Sequence, residues 1–349
     1  MPPRTYLDHA ATTPMTAAAR DALVDGMARW ANPSSPHADG RAARAMLEEA
    51  RARIAAAYGW TGEVLFTSGA SESLAIVLTR AVPTRRLVSA VEHDACLRGA
   101  GRAETIAVDS AGCVDPATID ARDALVAVQW CNSETGVRQP LHAVAETAHG
   151  AGGLLLVDAA QMPATTGLAG DADFVALSAH KRGGGPGVGA LLVRDLATLA
   201  PTGGQERGYR PGTENVPGIL AFAAAIAEPE PDHSAMRNRL DDAIRRSGGD
   251  VVAGAAERHP AIGSYRMPGV AAMTQLIRFD LDGIAVSAGS ACASGSMKPS
   301  HVLRAMGWTE ETTREVVRVS FGRTTTDADV DRFIAAWRGV ARTARSFAA

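Results

Sequence analysis

Hydrophobic residues between positions 64 and 193 fall into short runs that alternate with helical patterns. Most of these runs are continuously apolar, which is typical of strands that helices cover on both faces. Upstream, residues 41–58 place apolar side chains at roughly helical spacing, which predicts an amphipathic helix. The strand-like runs lie at 64–67, 87–90, 105–108, 125–128, 154–157, 174–177 and 190–193. The pattern predicts an α/β fold whose large domain has a mostly parallel, seven-stranded sheet between helices.

The alternation breaks near residues 228–232, where Glu-Pro-Glu-Pro-Asp interrupts the chain. Helix-forming residues follow, then an irregular stretch with Gly and Pro, a strand-like run at 316–320 and a helical pattern over 327–345. We therefore predict a large domain of residues 1–228 and a smaller α+β domain of residues 229–349. Whether the N-terminal segment packs with the small domain is left open by the sequence.

The composition is that of an ordinary globular protein and excludes several classes. Hydrophobic residues make up 46 % and charged residues 21 %, which excludes wholesale disorder. The net charge is −3 without a block of five like charges, so no nucleic-acid-binding surface is indicated. The apolar runs are far shorter than the ~20 residues of a membrane span, and the N-terminus lacks the apolar core of a signal peptide. Four cysteines in 349 residues are too few for a disulfide framework. We expect a cytoplasmic protein that binds no metal, no membrane and no nucleic acid directly.

Lysine occurs only twice, at Lys181 and Lys298, whereas the other 33 of the 35 basic residues are arginine. Such a bias can reflect the genome alone. A lysine that persists in this background is nevertheless a candidate for chemistry that needs a deprotonatable amine, which arginine does not provide. Lys181 follows an apolar strand and precedes the Gly-rich turn 183–187. It is therefore a candidate Schiff-base lysine, the alternative being a surface lysine in a loop.

Two other strand ends carry residues suited to a cofactor. Asp158 ends the run at 154–157, and strand ends of this kind are where ligands bind in open α/β sheets. A carboxylate there can hold a ring nitrogen protonated, or it can simply cap a helix. Residues 67–73 follow another strand and open a helical pattern with small and hydroxyl side chains. They predict a phosphate-binding helix N-terminus or, alternatively, a plain strand–turn–helix connection.

Cys292 lies in a run of small residues at 287–296, which is typical of a thiol on a mobile loop. Cys113 in a turn and Cys131 at a strand end are predicted to be structural, and Cys96 helical and inert. An amine, a carboxylate, a phosphate cradle and a loop thiol together indicate pyridoxal phosphate chemistry with a sulfur nucleophile.

The ordered motifs of the chain resemble those of the cysteine desulfurases, which belong to the class V aminotransferase family of fold type I pyridoxal phosphate enzymes. The resemblance covers nearly the whole chain. The matching stretches are 7–14, 32–35, 67–72, 92–93, 132–136, 158–161, 178–181, 210–215, 289–292 and 318–323. The fold this implies has a large cofactor-binding domain and a small C-terminal domain that carries the catalytic cysteine loop.

The resemblance implies a set of cofactor contacts. Lys181 would hold pyridoxal 5′-phosphate covalently, Asp158 would pair with its ring nitrogen and Gln161 with its phenolic oxygen. His93 would stack on the ring and take part in proton transfer. The implied phosphate ligands are Ser71, Ser178, His180, the backbone of Ala70 and, from the neighbouring subunit of a homodimer, Thr213.

The resemblance also implies a substrate site and a reaction. Arg318 would bind the substrate carboxylate, a bidentate task suited to guanidinium, and Asn32 and His9 would line the substrate side. Lys181 would remove the α-proton of L-cysteine. The Cys292 thiolate would then take the substrate sulfur as a persulfide, release L-alanine and pass the sulfur to an iron–sulfur scaffold or a sulfur carrier.

Several positions depart from the family pattern. Ser133 stands where the family has an asparagine that contacts the cofactor, and Asn132 is the alternative residue for this contact. Ser71 replaces the usual threonine. Lys298 stands where relatives often carry an acidic residue; it either lowers the thiol pKa or meets an acidic partner, or it is a solvated loop lysine. The chain is also short over about 228–270.

The function that these observations predict is that of a cysteine desulfurase. A selenocysteine lyase or another aminotransferase of the same fold is the alternative within the family. A non-catalytic partner in a sulfur-transfer assembly is the alternative from another class. A nicotinamide enzyme is disfavoured, because no Gly-x-Gly-x-x-Gly follows the first strand.

Overall fold

The computed structural model describes residues 4–289 and 299–348 of the chain. In chain order the strands are β1 (Thr5–Tyr6), β2 (Glu63–Thr67), β3 (Arg85–Ser89), β4 (Glu104–Ile106), β5 (Ala124–Gln129), β6 (Leu154–Asp158), β7 (Phe174–Ser178), β8 (Gly189–Val193), β9 (Asp250–Val251), β10 (Ile262–Arg266), β11 (Ile284–Ala285), β12 (Ser287–Ala288) and β13 (Val316–Ser320). Within these residues the strands form three sheets.

The helices alternate with the strands of the large sheet and then dominate the C-terminal part. They are α1 (Ala17–Ala28), α2 (Ala38–Ala57), α3 (Ala70–Arg80), α4 (Asp94–Gly99), α5 (Leu141–Gly150), α6 (Val216–Ala227), α7 (Ser234–Arg246), α8 (Ala272–Leu281), α9 (His301–Ala305), α10 (Glu310–Thr313) and α11 (Asp327–Ala348). None of the helices in the described ranges is long and apolar enough to span a bilayer.

The large sheet has the strand order β2-β8-β7-β6-β5-β3-β4. Its members are the seven predicted runs, shifted by at most two residues at either end, so the predicted α/β class is confirmed. All pairings are parallel except those of β8, which runs antiparallel to both β2 and β7. The central strands β5, β7 and β8 are buried along their whole length, which explains why their sequences are continuously apolar, whereas the edge strand β4 is partly exposed.

Two hydrophobic clusters cover the faces of this sheet. Helices α2, α5 and α6 contribute Leu47, Val144 and Phe222 to one cluster, and α3 contributes Leu74 and Val77 to the other. The predicted helix at 41–58 is observed as α2, which begins three residues earlier because the imidazole of His37 accepts from the amide of Gly40.

A separate core forms around the sheet β12-β13-β10-β9, which packs with α7, α8 and α11. The N-terminal segment joins this core: Thr5 pairs with Ile284 in a parallel bridge between β1 and β11, and Leu7 is fully buried among the side chains of the cluster. The domain boundary near residue 228 stays a prediction; α6 ends at Ala227 and α7 begins at Ser234.

The carboxyl ends of the parallel strands meet at one edge of the large sheet. Thr67 at the end of β2 and Ser178 at the end of β7 both pair with Gly189, the first residue of β8. Asp158 ends β6 beside Gln129, which ends β5. Ligands bind at this edge in open α/β sheets, so the fold brings the predicted chemistry to the expected place.

Candidate active site

A cavity of about 490 Å³ opens at this edge of the large sheet. Its volume is that of a typical small-molecule site. Ten of the residues that the sequence singled out line it: Ala70, Ser71, His93, Ser133, Asp158, Gln161, Ser178, His180, Lys181 and Arg318. The cavity thus combines an amine, a guanidinium, a buried carboxylate and the N-terminus of a helix.

The N-terminus of α3 forms one end of the cavity. The N-cap of this helix is Gly69, and no side chain caps it. The first amides of a helix lack acceptors within the helix, so those of Ala70 and Ser71 are suited to an anion. Gly69 also lies directly against Gly189: a Cβ atom built on Gly189 would come within 2.5 Å of the Gly69 Cα atom. The glycine in β8 therefore lets the α3 N-terminus approach the sheet.

His180 lies in the short 3₁₀ turn Ala179–Lys181 that follows β7. Its Nδ1 atom lies 3.2 Å from the hydroxyl oxygen of Thr12. Burial, together with the neighbouring ammonium of Lys181, lowers the pKa of His180 to about 4. The imidazole is therefore neutral near pH 7 and offers one N–H donor to the cavity.

The carbonyl oxygen of Ala10 accepts two hydrogen bonds from the cavity. Nζ of Lys181 donates to it, and Nε2 of Gln161 donates to it at 3.0 Å. Ala10 is itself fixed, because its amide donates to Oγ of Ser320 at 2.8 Å. The N-terminal segment therefore orients the lysine and the glutamine that the sequence assigned to the cofactor.

Asp158 is only 8 % exposed at the end of β6. Burial raises the pKa of Asp158, whereas the amide of Ala160, which donates to Oδ1 at 2.9 Å, and the nearby His93 and Lys181 act to lower it. A buried carboxylate in this position is stabilised by a cationic partner. Its setting suits contact with a protonated ring nitrogen.

Arg318, on β13 of the sheet β12-β13-β10-β9, lines the cavity. Its Nη1 donates to the carbonyl oxygen of Ser133 at 2.9 Å, and its Nη2 donates to Oδ1 of Asp8 at 2.8 Å. The guanidinium is therefore held from both sides of the cavity, by the turn after β5 and by the N-terminal segment.

Four of the predicted residues do not line this cavity. Asn132 is buried in a turn, where its Oδ1 accepts from the amides of Glu134 and Thr135 and its Nδ2 donates to the carbonyl of Val91. Its side-chain amide is therefore already hydrogen-bonded within the fold, and of this pair only Ser133 lines the cavity. The hydroxyl of Ser133 is shorter than the asparagine side chain of the family.

The other three residues lie elsewhere in the structure. Asn32 accepts from the amide of Ser34 in a surface turn, and Thr213 is exposed in the loop after Gly212. His9 is buried and lines a second, water-sized cavity of about 20 Å³ that shares Ala10, Gln161 and Lys181 with the first. Cys292 and Lys298 lie outside the described residues.

Glu92 and His301 line the cavity but were assigned no role from the sequence. Oε1 of Glu92 accepts from the amide of Gln129 at 2.8 Å, and burial raises the pKa of Glu92 well above its usual range. Nε2 of His301 lies 2.8 Å from the carbonyl oxygen of Glu92. Glu92 precedes His93 in a stretch that matches the family, and this position could have indicated a role for Glu92. Nothing in the local sequence pointed to His301.

The cysteines outside the 287–296 run are structural where they are buried. Cys131 lines the cavity wall, but burial raises the pKa of its thiol to about 12, so the thiolate is scarce at neutral pH. Cys96 is fully buried in α4, as predicted, and burial raises the pKa of its thiol as well.

Comparison with known proteins places this architecture in a family. A model described as "Aminotransferase class-V" matches residues 5–333. The chain is 37 % identical over 374 residues to a cysteine desulfurase of Gluconacetobacter diazotrophicus, covering 96 % of this chain and 92 % of the relative. It is 34 % identical over 381 residues to an IscS-like cysteine desulfurase of Mycobacterium tuberculosis, covering 97 % of each.

Solved structures give the same result. A NifS-like protein from Rickettsia africae superposes with a TM-score of 0.85 at 28 % identity, covering 97 % of this chain and 99 % of that chain. A structure of SspA in complex with cysteine superposes with a TM-score of 0.80 at 26 % identity, covering 92 % of this chain and 100 % of that chain. The chain belongs to the class V aminotransferase family.

Proposed function

We propose that this protein is a cysteine desulfurase that uses pyridoxal 5′-phosphate to convert L-cysteine to L-alanine and takes up the sulfur on Cys292. One observation carries the proposal. Lys181, Asp158 and the N-terminus of α3 line one cavity, and Arg318 lines the same cavity from a strand of another sheet. Relatives called cysteine desulfurases, at 34–37 % identity over nearly the whole chain, support the choice of substrate.

The residues around the cavity fit pyridoxal 5′-phosphate. The uncapped N-terminus of α3, with Ser71, Ser178 and the neutral His180 beside it, is suited to the phosphate. Asp158 supplies the carboxylate that a protonated ring nitrogen needs, and Gln161 has an amide donor for the phenolic oxygen. His93 lines the same cavity, so its ring is available to pack on the cofactor.

When bound, pyridoxal 5′-phosphate supplies an aldehyde that reacts with amines and a ring that stabilises negative charge at the substrate Cα. Nζ of Lys181 is the group for covalent attachment and, once released, the base that takes the Cα proton. Arg318 holds the substrate carboxylate by paired hydrogen bonds. The buried carboxylate of Asp158 would keep the nitrogen of the cofactor ring protonated.

The sulfur-transfer step belongs to Cys292 and is balanced without an external oxidant. The Cys292 thiolate attacks the sulfur of the substrate, an S–S bond forms and the Cβ–S bond breaks. The electron pair of the broken bond stays on Cβ, which takes a proton and becomes the methyl group of L-alanine. Release of the persulfide sulfur as sulfide then needs a thiol reductant, whereas transfer to an acceptor protein needs an acceptor thiolate.

The proposal includes a homodimer in the cytoplasm and an acceptor that is an iron–sulfur scaffold or a sulfur carrier. Thr213 is exposed and is not among the residues that line the cavity of its own chain, which is consistent with a contribution to a neighbouring subunit. Mixing Lys181→Ala and Thr213→Ala protomers tests this arrangement. The mixture should regain up to about half of the activity per mixed dimer, because one of its two sites has both native residues.

The proposed function is tested with purified protein loaded with pyridoxal 5′-phosphate, L-cysteine and a thiol reductant. We expect sulfide and alanine in equal amounts. Lys181→Ala and Cys292→Ser should abolish both products, whereas Cys113→Ser, a change to a half-buried thiol that does not line the cavity, should leave them unchanged.

Other results would redirect the assignment. Alanine formation that survives Cys292→Ser indicates a lyase that does not need the loop thiol, and a preference for L-selenocysteine would identify its substrate. A protein that binds the cofactor but turns over neither amino acid would support the non-catalytic partner. Failure to bind the cofactor at all contradicts the proposal.

A further inference from the structure

Arg318 has more N–H groups than the described residues use. A guanidinium carries five N–H donors: one on Nε and two on each Nη. Ser133 takes one from Nη1 and Asp8 takes one from Nη2. Nε is buried without a hydrogen-bond partner in the described part of the chain. Three donors therefore remain: the one on Nε and one on each Nη.

Asp8 is rigidly placed beside Arg318. The amide of Leu7 donates to Ala285 at 2.9 Å and its carbonyl accepts from the amide of Ser320 at 2.8 Å, so the backbone before Asp8 is bonded on both sides. Asp8 forms a parallel bridge with Ser320, two residues beyond Arg318 on β13. Residues two apart on a strand share a face, which brings the Asp8 carboxylate to the guanidinium.

The contact has two properties that suit a positioning role. It uses one carboxylate oxygen on one nitrogen, so together with the Ser133 contact it holds the guanidinium while three of its five N–H donors stay available. It also provides the opposite charge that a guanidinium with only 6 % of its side chain exposed needs. The Asp8 side chain itself is 19 % exposed, so water also solvates that carboxylate.

We propose that Asp8 is a positioning residue for the substrate carboxylate: it holds Arg318 through Nη2, so that the remaining N–H donors of the guanidinium bind the carboxylate of an amino acid in the cavity. This inference rests on the proposed function, because it assigns an amino-acid substrate to the cavity. The opposite role would be that the Asp8 carboxylate competes with the substrate carboxylate for Arg318. The two roles predict changes of opposite sign when the carboxylate is removed.

The test measures binding of L-alanine, the proposed product, to protein loaded with pyridoxal 5′-phosphate, by titration calorimetry and by the change in cofactor absorbance. We expect Asp8→Ala to raise the Kd for L-alanine about tenfold and Asp8→Asn, which keeps the acceptor oxygen, to raise it less than about threefold. L-Alaninamide lacks the carboxylate, so its Kd should change less than about twofold in both variants. In the Arg318→Ala background, Asp8→Ala should have no further effect on L-alanine binding.

Asp280→Asn is the matched control, because Asp280 pairs with Arg4 on the surface of the same domain and its loss should leave the Kd unchanged. A lower Kd in Asp8→Ala would overturn the inference in favour of competition. An unchanged Kd, an equal loss for L-alaninamide, or no L-alanine binding by the unaltered protein would also overturn it. If Asp8→Ala does not fold, Asp8→Asn alone decides the sign: a Kd for L-alanine above that of the unaltered protein supports the inference, and an equal or lower Kd overturns it. Sulfide release from L-cysteine, measured separately, tells failure of this inference from failure of the proposed function.

Discussion

Nδ1 of His93 accepts a hydrogen bond from the backbone amide of Ala95 at 3.1 Å, which makes His93 the N-cap of α4. An accepting Nδ1 carries no proton, so the neutral ring carries its proton on Nε2. The same side chain lines the cavity. One residue thus caps the N-terminus of α4 and presents its ring to the cavity.

These two roles of His93 can be separated by substitution. Asparagine is a good N-cap, so His93→Asn should keep the free energy of unfolding within about 0.5 kcal/mol, whereas His93→Ala should lose about 1 kcal/mol. Both variants lack the ring, so both should change the absorbance spectrum of bound pyridoxal 5′-phosphate and lower turnover. Urea unfolding and absorbance spectra measure the two effects. A His93→Asn protein with an unaltered spectrum and rate would contradict a role for the ring.

Gly189→Ala should displace the phosphate-binding end of the cavity. A Cβ atom at Gly189 would lie 2.5 Å from both the Gly69 Cα atom and the Leu177 carbonyl oxygen, and neither backbone can yield without moving α3 or β7. We expect the Kd for pyridoxal 5′-phosphate to rise at least tenfold, measured by fluorescence titration. Gly150→Ala is the control: its Cβ atom would meet nothing within 4 Å, so cofactor binding should not change.

Ser133→Asn should strengthen cofactor binding. Ser133 faces the cavity, whereas the amide of Asn132 is used in its own turn. A longer side chain with an amide donor adds one hydrogen bond, which contributes about 0.5–1.5 kcal/mol, so the Kd for pyridoxal 5′-phosphate should fall about twofold to tenfold. Ser133→Ala should change the Kd less than about twofold. Weaker binding by Ser133→Asn would show that the cavity has no room for the family's asparagine.

His9 should make the protein sensitive to acid. Burial, and then the nearby His233, lowers the pKa of His9 to about 4 in the folded chain, against about 6.5 when unfolded. Between these values the unfolded state binds the extra proton, so stability falls as the pH falls from 6.5 to 4. The loss attributable to His9 is at most about 3 kcal/mol. His9→Asn should flatten this part of the curve of unfolding free energy against pH.

The control for this pH dependence is His142→Asn. His142 is exposed, and the hydrogen bond to Asp171 raises its pKa, so its contribution is present at low pH and is lost as the pH rises. Removing it should leave the acid-induced loss at least as steep as before. Equal slopes in His9→Asn and the unaltered protein would show that His9 does not remain neutral in the folded state.

The large sheet could be predicted from the sequence because burial on both faces leaves a continuous apolar run. Each of the seven runs is a strand. The direction of β8 could not be predicted, because an apolar run such as Gly189–Val193 reads the same in a parallel or an antiparallel pairing. The start of α2 was missed because its N-cap is His37, which is not among the usual capping residues.

The candidate site was predictable where a residue ends a strand and unpredictable where tertiary contacts decide. Lys181 and Asp158 follow strands directly, so their strands carry them to the cavity. His9 and Asn132 are adjacent in sequence to residues at the cavity. Packing nevertheless directs the His9 side chain toward a second cavity, and the side-chain amide of Asn132 forms its hydrogen bonds within a local turn. The Asp8–Arg318 contact joins residues 310 positions apart, which no local pattern encodes.

The pairing of β1 with β11 has a consequence for how the protein is made. Thr5 and Asp8 are synthesised long before their partners, Ile284 and Ser320. Until then Leu7 has no core to enter, Ala10 has no Ser320 to hold it in place for Lys181, and Asp8 has no Arg318. Such distant contacts slow folding, because a long loop must close before they form. A nascent chain that stops short of residue 320 therefore lacks a finished ligand site, and cofactor capture during translation has to wait until Ser320 has been added.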